Sequence, residues 1–477
     1  MRRDKITTFT ERGYFWLHGT DIPESRLGPE NGATPGTLSI DDEGRIDLDL
    51  DGVLSSEGLL MPGQPTSPIQ GVLKTGHKPH VLLVGLYKNG GALRSEGITY
   101  EKYFAEKCVR SDISLGSDFE NILFKDLYVD LAGYEEWLNI CLIDVKNTET
   151  SSVASYTHRD DDIHNFNGSQ LRIQYGCHRP TSFPQYVLNW KQLTRIVFTP
   201  DAPLPLDGIL NIYHSFQDLL VLLTDGYHGL EWPGLASNND AQCTCYLSRN
   251  RNIDRAIYVN MYPVGFSQIR ENFGSIWLAW QQFRDNAGPG AYLYLSTRKG
   301  NNLYPENRFA NLMWGIESLQ RRSVASSHPA HSAISKKIIR IVGQVSRSCD
   351  RNWLNRQLRH AHEPSLANRF SELFKSLPLG IEKERLDRFA KRCADRRNDI
   401  SHFGGQRQNS DYDSFVKHLM KETDALSILY HAYILQKIGI NDNILYHWIH
   451  ESPQAFFKKR VLNANDLLDS DDLGAPL

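Results

Sequence analysis

Leu386-Asp387-Arg388-Phe389-Ala390-Lys391-Arg392-Cys393-Ala394-Asp395-Arg396-Arg397-Asn398-Asp399-Ile400-Ser401-His402 decides how the second half of this chain folds. Leu386, Phe389, Ala390, Cys393, Arg397 and Ile400 recur at the three- and four-residue spacing that lines up one face of an α-helix. Gly404-Gly405 follows at once and supplies a stop. Working outward, the same period recurs at Phe309, Leu312, Met313, Ile316 and Leu319, and again at Ile334, Ile338, Ile341, Val342 and Val345. A long C-terminal helix carries Phe415, Leu419, Leu426, Leu429, Tyr433 and Ile434 and closes at Gly439. Short connections between amphipathic helices from Leu303 to Ile449 predict an antiparallel bundle.

The first 270 residues have a different texture. Gly13–Leu17, Gly36–Ile40 and Ile46–Leu50 are short β-type segments, the last alternating strictly, and Asp42-Glu43-Gly44 joins the second to the third as a hairpin turn. Val81–Tyr87 followed by Asn89-Gly90-Gly91 repeats the strand-then-turn pattern. Further strands are predicted at Leu138–Val145, Leu171–Tyr175, Leu193–Phe198, Cys243–Leu247 and Ala256–Tyr262, with helices at Leu206–Leu223 and Ser275–Arg284. The fold class is therefore α+β: a β-rich N-terminal domain over residues 1–299, then an antiparallel helical bundle over 300–460. The polar run Arg298-Lys299-Gly300-Asn301-Asn302 is the boundary, and the acidic stretch 461–477 is predicted to be a disordered tail.

A chain of 477 residues is too long for one ordinary core, which predicts two to four domains. Its hydrophobic content of 40% against 23% charged residues is a soluble, globular balance. Charge is divided unevenly: residues 301–460 hold 26 Lys+Arg against 16 Asp+Glu, while the remainder holds 27 against 40. A basic C-terminal half suits a nucleic-acid-facing module, although solvated Lys/Arg-rich helix faces give the same count. Seven scattered cysteines argue against a disulfide framework. The N-terminus lacks the apolar core of a secretory signal, and runs such as Val81–Leu86 are too short to span a bilayer. A cytoplasmic protein with no membrane partner is expected.

Arg397 and His402 lie roughly one and a half helical turns apart, a permanent cation and a titratable ring suited to chemistry on a phosphodiester. The spacing alone is weak: Arg159…His164 repeats it in an acidic run that reads as a solvated loop, and Arg356…His362 and Arg172…His178 are looser versions. Context separates Arg397, which falls on the apolar seam of its helix and so must meet an anion or a partner chain. Asn398 adds an amide that can hold a phosphate oxygen, and Arg396 adds charge. The alternative is a helix-terminal histidine stabilised by the dipole, with Arg397 in an internal salt bridge to a residue such as Glu317.

The pattern R-N-x-x-x-H in the penultimate long helix of a C-terminal bundle resembles the HEPN ribonucleases. Gly13-Tyr14-Phe15-Trp16-Leu17, Pro35-Gly36-Thr37-Leu38 and Phe309…Trp314-Gly315-Ile316-Glu317-Ser318-Leu319 resemble the Apea subgroup, which couples an Apea N-terminal domain to a HEPN domain in bacterial abortive-infection systems. The resemblance implies a metal-independent endoribonuclease without cofactors, toxic to the cell, working as a homodimer or higher homo-oligomer whose motifs line one shared cleft. It places the catalytic roles on Arg397, His402 and Asn398, with Glu317 matching the family's first-helix acidic residue; Arg396, by its charge alone, is a further accessory candidate. It also implies an RNA substrate, by family analogy a structured RNA such as tRNA, and a sensor or restraint role for the N-terminal domain toward a phage-derived trigger. The residues supply the chemistry: histidine, with an ordinary pKa of about 6.5, exchanges the protons of 2′-OH attack, and arginine clamps phosphate oxygens. A non-catalytic scaffold that binds RNA or protein is the rival.

Other constellations carry less. Cys243-Thr244-Cys245 offers two thiolates to zinc, with Cys177, His178 or His228 to complete a site, but two half-buried strand cysteines explain it better. Asp144-Val145-Lys146 with Asp126 and Asp130 resembles a Mg²⁺-dependent nuclease centre only faintly. Gly288-Pro289-Gly290 reads as a turn, and Trp277, Trp280 and Phe283 as core. Arg356, Arg359 and His362, around His360-Ala361-His362, form a candidate RNA-contacting loop or else a plain solvated connection.

Overall fold

The computed structural model of the protein describes residues 7–19, 32–54, 65–92, 94–116, 121–178, 190–227, 229–249, 261–299, 303–323, 329–358, 364–403 and 411–469. It divides into two compact units, one from residues 1–217 and 228–256, the other from 218–227 and 257–477. The class is α+β, as the sequence predicts.

The first unit is built on antiparallel strands. β1 (Thr7–Leu17), β2 (Thr34–Asp41), β3 (Ile46–Leu50), β4 (Pro65–Thr66), β5 (Ile69–Leu73), β6 (His80–Ala92) and β7 (Tyr100–Ser111) come first. In the order β7-β3-β2-β1-β5-β6, with β6 paired back to β7, they close a barrel. Alternation fills it: Phe15, Leu38, Ile40, Ile46, Leu48, Leu50, Ile69 and Leu83 form one buried cluster. The Asp42-Glu43-Gly44 turn forms as expected. Asp41 Oδ1 accepts the Glu43 and Arg45 N–H groups at 3.1 and 2.8 Å. Gly44 has φ +80°, and a Cβ there would lie 2.0 Å from the Leu247 carbonyl oxygen.

β7 is shared. Glu101–Ala105 pairs β3 inside the barrel, whereas Lys107–Ser111 pairs a strand of the extension. That extension comprises β8 (Leu123–Asp130), β11 (Asp162–Phe166), β12 (Ser169–His178), β13 (Lys191–Thr199), β14 (Leu204–Pro205), β15 (Gly234–Ser237) and β16 (Gln242–Leu247). Its order from β7 is β16-β15-β8-β13-β12-β11, with β14 on β8. β9 (Ile143–Asn147) and β10 (Ser152–Tyr156) form a separate two-stranded sheet. α2 (Leu206–Thr224) sets Phe216 edge-on to Phe198 of β13 at 6.1 Å.

Three local expectations are corrected here. Asn89-Gly90-Gly91 is no turn: β6 runs through it with a register shift against β7, because β7 is long enough to keep pairing. Leu138–Val145 is not one strand. α1 (Glu135–Leu138) buries Trp137 and Leu138, Asn139 ends it at φ 49°, and β9 starts only at Ile143. The second Arg…His match, read as a loop, includes a strand, since Asp162–Phe166 pairs with β12. Residues 256–260 of the strand expected at Ala256–Tyr262 lie outside the described residues.

The second unit is helical: α3 (Phe266–Ile269), α4 (Phe273–Ala287), α5 (Pro289–Ser296), α6 (Pro305–Ser323), α7 (Pro329–Gly343), α8 (Ser348–Leu358), α9 (Leu366–Phe374), α10 (Lys383–Phe403), α11 (Tyr412–Lys437), α12 (Asp442–His450) and α13 (Ala455–Asn463). Phe309, Leu312, Met313 and Ile316 of α6, Phe389 of α10, and Leu426, Leu429 and Ile434 of α11 are fully buried. Close approach is built in with glycine. A Cβ on Gly315 would lie 2.6 Å from the Tyr430 hydroxyl, which itself donates to the Gly290 carbonyl at 2.8 Å. This joint ties α5 to α6 and α11, so α3–α5 fall in the helical unit although residue 300 was the expected boundary. Gly288-Pro289-Gly290 accordingly marks the α4–α5 joint, and Trp277 and Trp280 are buried. Composition assigned 461–477 to a disordered tail. Residues up to 469 are instead structured, because Leu462, Leu467 and Leu468 are buried and Arg385 pairs with Asp469. Among the described residues no helix is long and apolar enough to cross a membrane.

Candidate active site

α10 owes its position to one face. Leu386, Phe389, Ala390 and Cys393 are buried, and Phe389 meets Phe370 of α9 edge-on at 5.7 Å. Arg397 continues that face, and its side chain keeps only 25% of its exposure. The anion that such a cation requires is Glu317 of α6, whose Oε2 lies 3.3 Å from Arg397 Nη2. The same carboxylate holds Arg321 at 3.0 Å, so one acid orients two guanidinium groups. Arg397 Nη1 lies 3.4 Å from Asn398 Oδ1, and among the described residues its buried Nε has no hydrogen-bond partner. The internal salt bridge weighed from the sequence is thus present, and it includes the accessory residue Glu317.

His402 belongs to another face. It stands about 140° round the helix from Arg397, is exposed, and among the described residues has no hydrogen-bond partner. It sits in the last turn of α10, where the helix dipole favours a cationic ring. Asp387, Lys391, Asp395, Asn398 and His402 all fall within roughly 80° of arc. The first four of these line an open groove of about 500 Å³, closed on its other side by Ser365 and Asn368 at the start of α9. Sequence reading took the apolar stripe of α10 and missed this polar one, although its four-residue spacing was in plain view. A single helix therefore turns Arg397 toward α6 and His402 toward the groove side, with Asn398 between them.

The remaining candidates separate. Arg396 pairs with buried Glu422 of α11 at 3.2 Å and lies over the Phe415 ring at 5.0 Å, which ties its charge into the α10–α11 packing. Arg356 is exposed on α8, so it is helical rather than part of a loop, while Arg359 and His362 lie outside the described residues. Arg159 lies over the Tyr175 ring at 5.1 Å, and burial pushes the pKa of His164 on β11 down. Cys243 and Cys245 are both buried on β16, Cys177 sits on β12, and His228 lies outside the described residues. Asp144 is on the separate β9–β10 sheet, whereas Asp126 and Asp130 are on β8. Among the described residues no group of three or more His, Cys, Asp or Glu could hold a metal ion.

Residues 10–280 match the ApeA N-terminal domain 1, and residues 310–444, which contain α10, match the Apea-like HEPN domain. The chain belongs to the ApeA family of HEPN proteins. No curated protein and no solved structure matches it. HEPN domains in general are ribonucleases that bind RNA and typically dimerise, and the ApeA pairing supports a ribonuclease-type abortive-infection role at the level of the family.

Proposed function

We propose that this chain is a metal-independent endoribonuclease of antiphage abortive infection, acting as a homodimer with Arg397, Asn398 and His402 of both copies around one cleft. The observation that carries this reading is His402, exposed and without a partner among the described residues, at the end of α10, five residues after a guanidinium held in place by Glu317. Because Arg397 and His402 point about 140° apart on one helix, a second copy is the simplest way to surround a phosphate with both groups.

In the proposed reaction one His402 takes the proton of an RNA 2′-OH. The oxygen attacks the adjacent phosphorus, the bond to the 5′-oxygen breaks, and the other His402 protonates the leaving oxygen. The products are a 2′,3′-cyclic phosphate and a 5′-hydroxyl. Arg397 stabilises the non-bridging oxygens, Asn398 adds a hydrogen bond, and Glu317 is a positioning residue that fixes the guanidinium. A structured RNA such as tRNA is the proposed substrate class, the cytoplasm the proposed site of action, and the N-terminal domain the proposed sensor of a phage-derived trigger. His402→Ala should abolish cleavage and leave folding and dimerisation intact; retained cleavage would remove the assignment. The Arg397–Glu317 pair also favours a second reading, a non-catalytic scaffold in which Arg397 serves packing alone. Identical RNA-cleavage patterns from wild type and His402→Ala would support that rival.

A further inference from the structure

α7 and α8 form an arm unlike the rest of the helical unit. Residues 329–358 carry Lys336, Lys337, Arg340, Arg347, Arg351 and Arg356 against one acid, Asp350. All six cations are exposed, and among the described residues none has an ion-pair partner. Arg351 donates to the Val345 carbonyl at 2.7 Å and Arg356 lies 3.4 Å from that of Asn352, contacts that leave their charges uncompensated. α8 has no buried residue, and Val342 is the one buried side chain described between 335 and 358. On α7 the three cations occupy roughly 100° of arc, on the side away from half-buried Ile338 and buried Val342. On α8, Trp353 is 57% exposed and lies one turn before Arg356, about 100° and 140° round the helix from Leu354 and Leu358.

We propose that the α7–α8 arm is a docking surface for an unpaired stretch of the RNA substrate, its cations tracking phosphates while Trp353 stacks on a base. The proposal deepens the nuclease reading and rests on RNA being its substrate. Charge decides the occupant. A surface with six cations and one acid repels a second copy of itself and attracts a polyanion. An aromatic face beside an arginine suits unpaired bases, whose stacking does not depend on sequence. A lipid surface would require one continuous apolar face, but exposed Ile339 and Ile341, two residues apart, point to nearly opposite sides of α7.

The test uses the full chain carrying His402→Ala, so that RNA survives the measurement, with a fluorescein-labelled single-stranded RNA of mixed sequence titrated at several salt concentrations. Lys336→Gln, Lys337→Gln, Arg340→Gln and Arg356→Gln together should weaken binding about 10- to 100-fold and lower the slope of log K against log salt by roughly 2 to 3. Trp353→Ala should weaken binding roughly 5- to 100-fold with the slope unchanged. A control with Lys383, Lys417, Lys421 and Lys437 changed to Gln should keep the parental slope. Circular dichroism verifies that each variant folds. Equal slopes for arm variant and parent, or an equal loss in the control, would overturn the proposal. So would arm-dependent binding to phosphatidylserine vesicles with RNA affinity unaltered. The two readings fail separately. If the wild-type chain cleaves no RNA while the arm variants lose binding, the nuclease reading falls and the arm stands. If cleavage depends on His402 while the arm variants bind and cleave normally, the arm falls.

Discussion

Four of the five arginines of α10 and the arginines of the α7–α8 arm are the same residue put to opposite uses. On α10, Arg385 meets Glu382 and Asp469, Arg392 meets Asp466, Arg396 meets Glu422 and Arg397 meets Glu317. On the arm, among the described residues, no cation meets a carboxylate. Charge count alone ranks the two regions together. The tertiary structure separates cations committed to packing from cations left open to a partner, and Arg397, half-buried and held by its neighbour, stands at the border.

That contrast can be broken most decisively at His402. Replacement by alanine should lower the RNA cleavage rate by roughly 10²- to 10⁴-fold with an unchanged melting temperature; a smaller loss would move α10 wholly to the structural side. Next in size is Glu422→Gln, which leaves Arg396 beside Phe415 without its anion and should cost about 2 kcal/mol in urea unfolding of the helical unit. Glu317→Gln should instead act on turnover, lowering kcat about tenfold with KM little altered, since the pair is a quarter exposed and worth only about 1 kcal/mol to folding. Recovery of kcat in Glu317→Asp would identify orientation of Arg397 as the cause. On the arm, Arg340→Gln and Arg347→Gln should shift stability by less than about 0.5 kcal/mol; a larger loss would mean that those cations have structural partners after all. Smallest of all, EDTA should leave the cleavage rate unaltered, and inhibition reversed by Mg²⁺ would end the metal-free mechanism.

The sequence made the helical unit legible because its period is strong. The faces of α6, α10 and α11 were named residue by residue, and their apolar members are buried except Ile400, which is half-buried. Strands with strict alternation, such as Ile46–Leu50, were equally clear. Failures came where local signals compete with pairing partners far away in sequence. Asn89-Gly90-Gly91 has turn chemistry, yet β7 pairs through it; Leu467 and Leu468 sit among acids, yet they find a core. β7 and β8 went unread; in β7 the buried positions include Glu101 and Ser111, polar residues that hide the apolar alternation.

At the candidate site the division is similar. Sequence alone determined that Arg397, Asn398 and His402 share one helix and that Arg397 lies on its apolar seam, since helical periodicity is a local property. Only the tertiary structure decided that Glu317 is the anion for Arg397, that Arg396 belongs to Glu422, and that His402 shares a face with an open groove. Those facts depend on which helix packs against which, and the contacts that choose them join residues 26 to 80 positions apart in the chain.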